Sequence, residues 1–150
     1  MKKLSIKNQQ GFTLIELLVV IGILAVLLAI VLIAINPARQ FAQANDTKRR
    51  NDSLQILNAV WQFAADNNGN LPTQIDETLQ EVSSTEADIC DDIVPTYINA
   101  LPSDPSLNAD EITDCAAAYA TGYTIQQSSS SSRVTVSAPD AELEVITVSR

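Results

Sequence analysis

The sequence predicts an α+β chain: one long N-terminal helix, apolar through its first half, packed through its second half on a small antiparallel sheet. Three observations carry this reading. Residues 12–35 are apolar almost without interruption. A helical apolar stripe resumes after Pro37 and runs to about Asp66, and the last third alternates in the two-residue period of strands.

Residues 1–11 are short, polar and basic, with Lys2, Lys3 and Lys7. The apolar run that follows makes roughly 36 Å of helix at about 1.5 Å per residue, enough to cross a hydrocarbon core of about 30 Å. Lysines before the run and a mostly acidic chain after it place the N-terminus in the cytoplasm and the head outside. A cleavable secretory signal has a shorter apolar region, and the loose small-x-small site Ala42-Gln43-Ala44 lies well past this one. An ordinary signal anchor fits the length but leaves Glu16 unexplained, since a carboxylate in lipid is costly.

Asn36-Pro37 interrupts the helix, because Pro37 lacks a backbone donor and disfavours helical geometry at Asn36. Beyond it, Leu54, Leu57, Trp61 and Ala64 recur at helical spacing, with Ile56, Val60 and Phe63 widening the stripe. Lys48, Arg49, Asp52, Gln55, Asn58 and Gln62 are expected on the opposite, solvated face. Gly69 is a natural left-handed cap, and Pro72 prevents the helix from resuming. Residues 36–66 thus form an amphipathic half-helix, and residues 67–150 a globular head.

Residues 71–118 read as irregular, with short helical turns expected near 76–82 and 109–118. Three strands follow. Tyr119, Thr121, Tyr123 and Ile125 alternate in the first, Val134 and Val136 in the second, and residues 143–148 are rich in β-branched side chains. The expected product is a three-stranded antiparallel meander covering the 51–66 helix, since neither can bury itself alone. Ser128–Ser132 is a hairpin loop, with sugar attachment a lesser alternative.

The formal net charge is −9. Beyond Arg50 only Arg133 and Arg150 are basic against sixteen acidic residues, a net of −14 for that stretch. Such a surface lacks the basic stripe that nucleic acid requires and repels anionic lipid headgroups. The chain has no histidine and no lysine after Lys48, which removes the commonest general base and a Ser–Lys dyad from the head. Its four glycines form no phosphate-cradling loop. No enzyme, metal site or cofactor is expected. Asp66, Asn68 and Asn70 alternate like the start of a calcium loop, but the required glycine and closing glutamate are missing, and a helix cap accounts for them. Asn45-Asp46-Thr47 and Asn51-Asp52-Ser53 match the N-glycosylation pattern on a predicted helix and read as chance. Cys90 and Cys115 permit one pairing. An exported head makes a disulfide the favoured reading and two separate thiols the other.

Gly11-Phe12-Thr13-Leu14-Ile15-Glu16, followed by Leu17-Leu18-Val19-Val20, resembles the processing site of type IV prepilins and of the related pseudopilins of type II secretion and competence systems. The resemblance combines a short basic leader ending in glycine, an aromatic residue after the cut, a glutamate five residues into the mature chain and a long apolar helix. It implies that a prepilin peptidase cuts between Gly11 and Phe12 and methylates the new amine of Phe12. It further implies that residues 12–35 pass from the bilayer into the core of a helical homopolymer built by a membrane assembly platform. Glu16 would pair there with the Phe12 amine of a neighbouring subunit. Family members often carry a proline inside the apolar run, whereas here the first is Pro37. Leu101-Pro102-Ser103-Asp104-Pro105 resembles a stretch shared by pseudopilins and some pilins. The reading is a type IV pilus subunit, ending in an extracellular filament that serves adhesion, surface motility or DNA uptake. A pseudopilin is the alternative, and a monomeric anchored binding domain a third possibility that the Gly11, Phe12, Glu16 set disfavours.

Overall fold

The computed structural model describes residues 11–150, so the predicted leader, residues 1–11, lies outside the described residues except for Gly11. The chain divides into two compact units, one ending at Gln40 and the other running from Phe41 to Arg150.

In the first unit, helix α1 spans Leu14–Ile35. Thr13 caps it: the Thr13 hydroxyl accepts the Glu16 N–H at 3.3 Å, and the Glu16 carboxylate accepts the Thr13 N–H at 2.8 Å. This reciprocal capping box satisfies two of the backbone donors that a helix start otherwise leaves open. The helix stops at Asn36, whose φ of 47° is left-handed, a conformation asparagine tolerates better than most residues. Helix α2 then begins at Pro37, where a missing N–H costs nothing. The Asn36 side-chain oxygen accepts the Arg39 N–H at 3.4 Å.

Most of α2, which ends at Asp66, belongs to the second unit. The Gly69 N–H returns to the Ala64 carbonyl at 2.7 Å, with Asn68 and Gly69 both at positive φ. The rest of the unit is a sheet of four antiparallel strands in the order β1 (Gln80–Ser83), β2 (Ala120–Gln127), β3 (Val134–Ala138) and β4 (Ile146–Ser149). The meander of β2, β3 and β4 is the expected one. The expectation of three strands is corrected to four, because residues 80–83 form an edge strand where a helical turn was predicted. Gln80 and Glu81 pair with Ile125 and Thr124, and a bulge precedes the pairing of Ser83 with Ala120. The predicted turns near 109–118 are likewise replaced. Ile112 forms an isolated bridge with Leu101, and the helical turns lie instead at α3 (Cys90–Ile93) and at a 3-10 turn, Pro105–Leu107.

Tyr123, Ile125, Val134, Val136, Ala138 and Ile146 point to one face of the sheet and are buried against Ile56, Leu57, Ala59 and Val60 of α2. Val82, Ile89, Ile93 and Leu101 close the same core. The predicted polar face of α2 is corrected at two positions: Arg49 and Asp52 are buried, while Leu54, placed in the apolar stripe, is 40 % exposed.

Candidate functional site

Phe12 and the whole of α1 are exposed, and none of the helix's residues is buried by another part of the described chain. Burying a single leucine or isoleucine is worth about 1.5–3 kcal/mol, so a helix with this surface is not stable in water as it stands. Its 22 residues measure about 33 Å at about 1.5 Å each, which matches a bilayer core. It is a candidate membrane span by length and composition. At Gly22 the surface is dented between Leu18, Val19, Ile23, Val26 and Leu27, and a Cβ there would meet nothing within 4 Å. Such a dent admits the close approach of another helix, which is how helices associate in lipid.

At the head of α1, Gly11, Phe12 and Thr13 precede the first helical residue, so Gly11 and Phe12 lie outside the helix and are exposed. Glu16 sits in the first turn. Besides the Thr13 N–H, its carboxylate accepts the Thr13 hydroxyl at 2.7 Å. The structure therefore brings Phe12 and Glu16 to the same end of α1 and gives the carboxylate two donors from its own chain. Thr13 was not among the predicted site residues. The Thr-x-x-Glu spacing ahead of an apolar run was the signal that names it.

The second group of functional side chains holds the head together. Arg49 is 1 % exposed and donates to both oxygens of Asp104 at 2.8 and 3.1 Å, to Asp46 at 2.9 Å and to Glu142 at 3.2 Å. Asp46 in turn accepts the backbone N–H groups of Glu142 and Leu143 at 2.9 and 2.8 Å. Asp104 accepts the Ser106 N–H and hydroxyl. One guanidinium thus ties α2 to the Asp104 turn and to the loop before β4, with both oxygens of each buried aspartate partnered as burial demands. Hydrogen bonding to Asp104 holds the Arg49 guanidinium above its ordinary value, against the pull of burial. Burial pushes the Asp46 and Asp104 carboxyls up, but backbone donors and Arg49 at the first, and Arg49 and Ser106 at the second, leave both below the usual carboxylate range.

Beside this cluster Lys48 donates to Asp52 at 2.7 Å and to the Ser103 carbonyl at 3.0 Å, and the Tyr123 hydroxyl donates to Asp52 at 2.7 Å. Burial, followed by the hydrogen bond to Asp52, pushes the Tyr123 phenol up. On the surface Arg50 pairs with Glu144. Cys90 and Cys115 form a disulfide with Cα atoms 5.5 Å apart, joining α3 to the stretch before β2. Asp66, first in the calcium-like alternation, instead accepts the Tyr97 hydroxyl at 3.1 Å. Among the described residues no three His, Cys, Asp or Glu side chains gather to hold a metal ion. Asn45, in one of the two glycosylation patterns, lies within α2 and donates to Glu142 at 2.9 Å. Ser129 to Ser132 are exposed at the β2–β3 turn.

Residues 6–32 match the prokaryotic N-terminal methylation motif. No curated protein and no solved structure matches the chain.

Proposed function

We propose, from the methylation motif that serves as the class III signal peptide of type IV pilins and pseudopilins, that this chain is a structural subunit of a type IV pilus. A prepilin peptidase cuts between Gly11 and Phe12 and methylates the Phe12 amine. The subunit waits in the membrane with its head outside, and an assembly platform adds it to a filament on the cell surface.

The observation that carries the reading is a span-length helix with none of its surface covered, starting three residues after the cleavable bond. Lipid covers that surface before assembly, and the same helices of neighbouring subunits cover it afterwards. Because the side chains are dry in both places, the exchange draws on close packing and polar pairing rather than on a fresh hydrophobic gain. Glu16 supplies the polar pairing. While the subunit is alone its carboxylate is occupied by Thr13; in the filament it turns to the methylated amine of Phe12 on a neighbour, and that contact sets the register between subunits.

Intact-mass and N-terminal analysis of the purified subunit tests the processing step, with a methylated chain beginning at Phe12 as the expected result. A chain that keeps Met1 overturns it. Imaging of sheared surface filaments, with the subunit identified by mass, tests the polymer. Long filaments built of this chain support a pilin, and their absence at native expression, with processing intact, makes it a pseudopilin.

A further inference from the structure

The sheet order leaves β1 and β4 as its two edges, and the register fixes which residues lie at which end. Ser83 meets Ala120 at one end, whereas Gln127 meets Val134 at the other. Arg150 exchanges backbone hydrogen bonds with Val134 at 3.0 and 3.1 Å, and Arg133 immediately precedes β3. Both arginines therefore sit at the Gln127 end, on the β3–β4 side. Arg150 lines a shallow hollow with Asn58, Trp61, Gln62 and Ala65 of α2, and none of these carries a carboxylate. The acidic segment Glu86, Asp88, Asp91, Asp92 follows β1 at the Ala120 end, and the Cys90–Cys115 bond brings Asp114 to it. The two groups occupy diagonally opposite corners of one sheet.

Among the described residues neither corner has an ion-pair partner. Of the cations from Phe41 onward, Lys48, Arg49 and Arg50 all lie in ion pairs. Among the described residues Arg133 and Arg150 make none, although both are exposed. At the other corner, among the described residues, no cation lies in an ion pair with Glu86, Asp91, Asp92 or Asp114. The Asp92 carboxyl is pushed up by burial and then by the charges of Asp91 and Asp88. That repulsion stays unrelieved within the unit.

We infer that the Arg133/Arg150 corner of one subunit docks on the Asp91/Asp92/Asp114 corner of the next copy of this chain. The inference rests on the polymer reading above and names the head contact within it. Two different patches that fit each other give a heterologous, head-to-tail contact, and such a contact propagates into an open polymer rather than closing a dimer. Opposed charges at unlike corners also fix which end meets which and disfavour the reversed orientation, in which like charges face each other.

The head contains no lysine after Lys48, which makes the contact addressable by zero-length amine–carboxylate coupling. Sheared filaments of the full chain carrying Arg133→Lys or Arg150→Lys, treated with a carbodiimide, are expected to give a ladder of linked subunits. Peptide mapping is expected to join the introduced amine to Asp91, Asp92 or Asp114 of another copy. Arg133→Glu with Arg150→Glu is expected to lower filament yield at least tenfold, with an unchanged melting temperature because both side chains are exposed. Adding Asp91→Lys and Asp92→Lys to that variant is expected to restore most of the loss. Wild-type yield from the double glutamate variant, or couplings confined to single subunits or to other carboxylates, overturns the docking while leaving the polymer reading in place. Wild-type chains that are cleaved after Gly11 yet form no polymer overturn both.

Discussion

Replacing Arg49 by methionine deletes the guanidinium that joins α2 to two loops while keeping much of the side-chain volume. Two of its four hydrogen bonds go to Asp104, one to Asp46 and one to Glu142. The Glu142 carboxylate is half-exposed, so that bond contributes little, about 0–1 kcal/mol. Removing one partner of a buried pair costs about 3–5 kcal/mol, because the remaining charges stay desolvated. Here Asp46 keeps two backbone donors and Asp104 keeps the Ser106 N–H and hydroxyl, which places the loss near the lower end, about 3 kcal/mol. For a unit of this size each kcal/mol moves Tm by about 4 °C, so the variant is expected to melt roughly 12 °C lower. The pH dependence follows from the lowered carboxyls of Asp46 and Asp104. A carboxyl whose folded value lies below its unfolded value of about 4 stabilises the fold fully above that pH and loses the contribution as pH falls through the folded value. The gap between wild type and Arg49→Met is therefore widest near neutrality and closes in acid. Thermal melts of the full chain in detergent micelles, followed by Trp61 fluorescence at about pH 7 and about pH 2, measure both effects. A variant that melts within about 2 °C of wild type at neutral pH, or a gap that ignores pH, refutes the reasoning.

Three further outcomes are expected. Glu16→Ala leaves cleavage after Gly11 and folding of the head intact but lowers filament yield severely, whereas a bulky residue at Gly11 blocks cleavage first; N-terminal mass and sheared-filament yield separate the two. Replacing Cys90 and Cys115 by serine releases a loop closed between residues 25 apart, worth about 3–4 kcal/mol on the chain-entropy estimate, and is read as a lowered denaturant midpoint. Gly122→Ala places a Cβ 2.9 Å from the Asp104 Cβ at a φ of 77°, so a loss of more than about 1 kcal/mol is expected in the same assay, whereas Gly22→Ala, with open space around it, leaves the head's stability unchanged.

The long-range plan of the chain was legible because it is written in periodicity and punctuation. A run without polar residues, Asn36-Pro37, Gly69 and the two-residue alternation at Tyr123–Ile125 and Val134–Val136 each have a local physical reading. What escaped was decided by tertiary contact. In β1 only Val82 is a strong strand former, and its pairing is supplied by β2, forty residues away. Arg49 and Asp52 were assigned to solvent by charge, yet Arg49, Ser53, Ile56, Val60 and Ala64 follow one another at spacings of four, three, four and four, which is a single helix face. Geometry placed Arg49 inside, and of the acids that receive it only Asp46 is local; Asp104 and Glu142 lie too far along the chain for any local pattern to reveal. At the N-terminus Gly11, Phe12 and Glu16 were read from the resemblance to prepilins, while Thr13, signalled by its Thr-x-x-Glu spacing, was missed.

The hydrophobic cluster beneath the sheet draws no side chain from before Ile56, and α1 lends none to it. A substitution between Leu14 and Ile35 therefore leaves the packing beneath the sheet unchanged, and a repacked core leaves the outward surface of α1 as it was. The two stretches answer to separate constraints, one to whatever surrounds the helix and the other to its own interior. In a lineage of such chains the helix can stay nearly constant while the head is rebuilt almost freely, so sequence drift should be sharply uneven along the chain, with its step near Phe41.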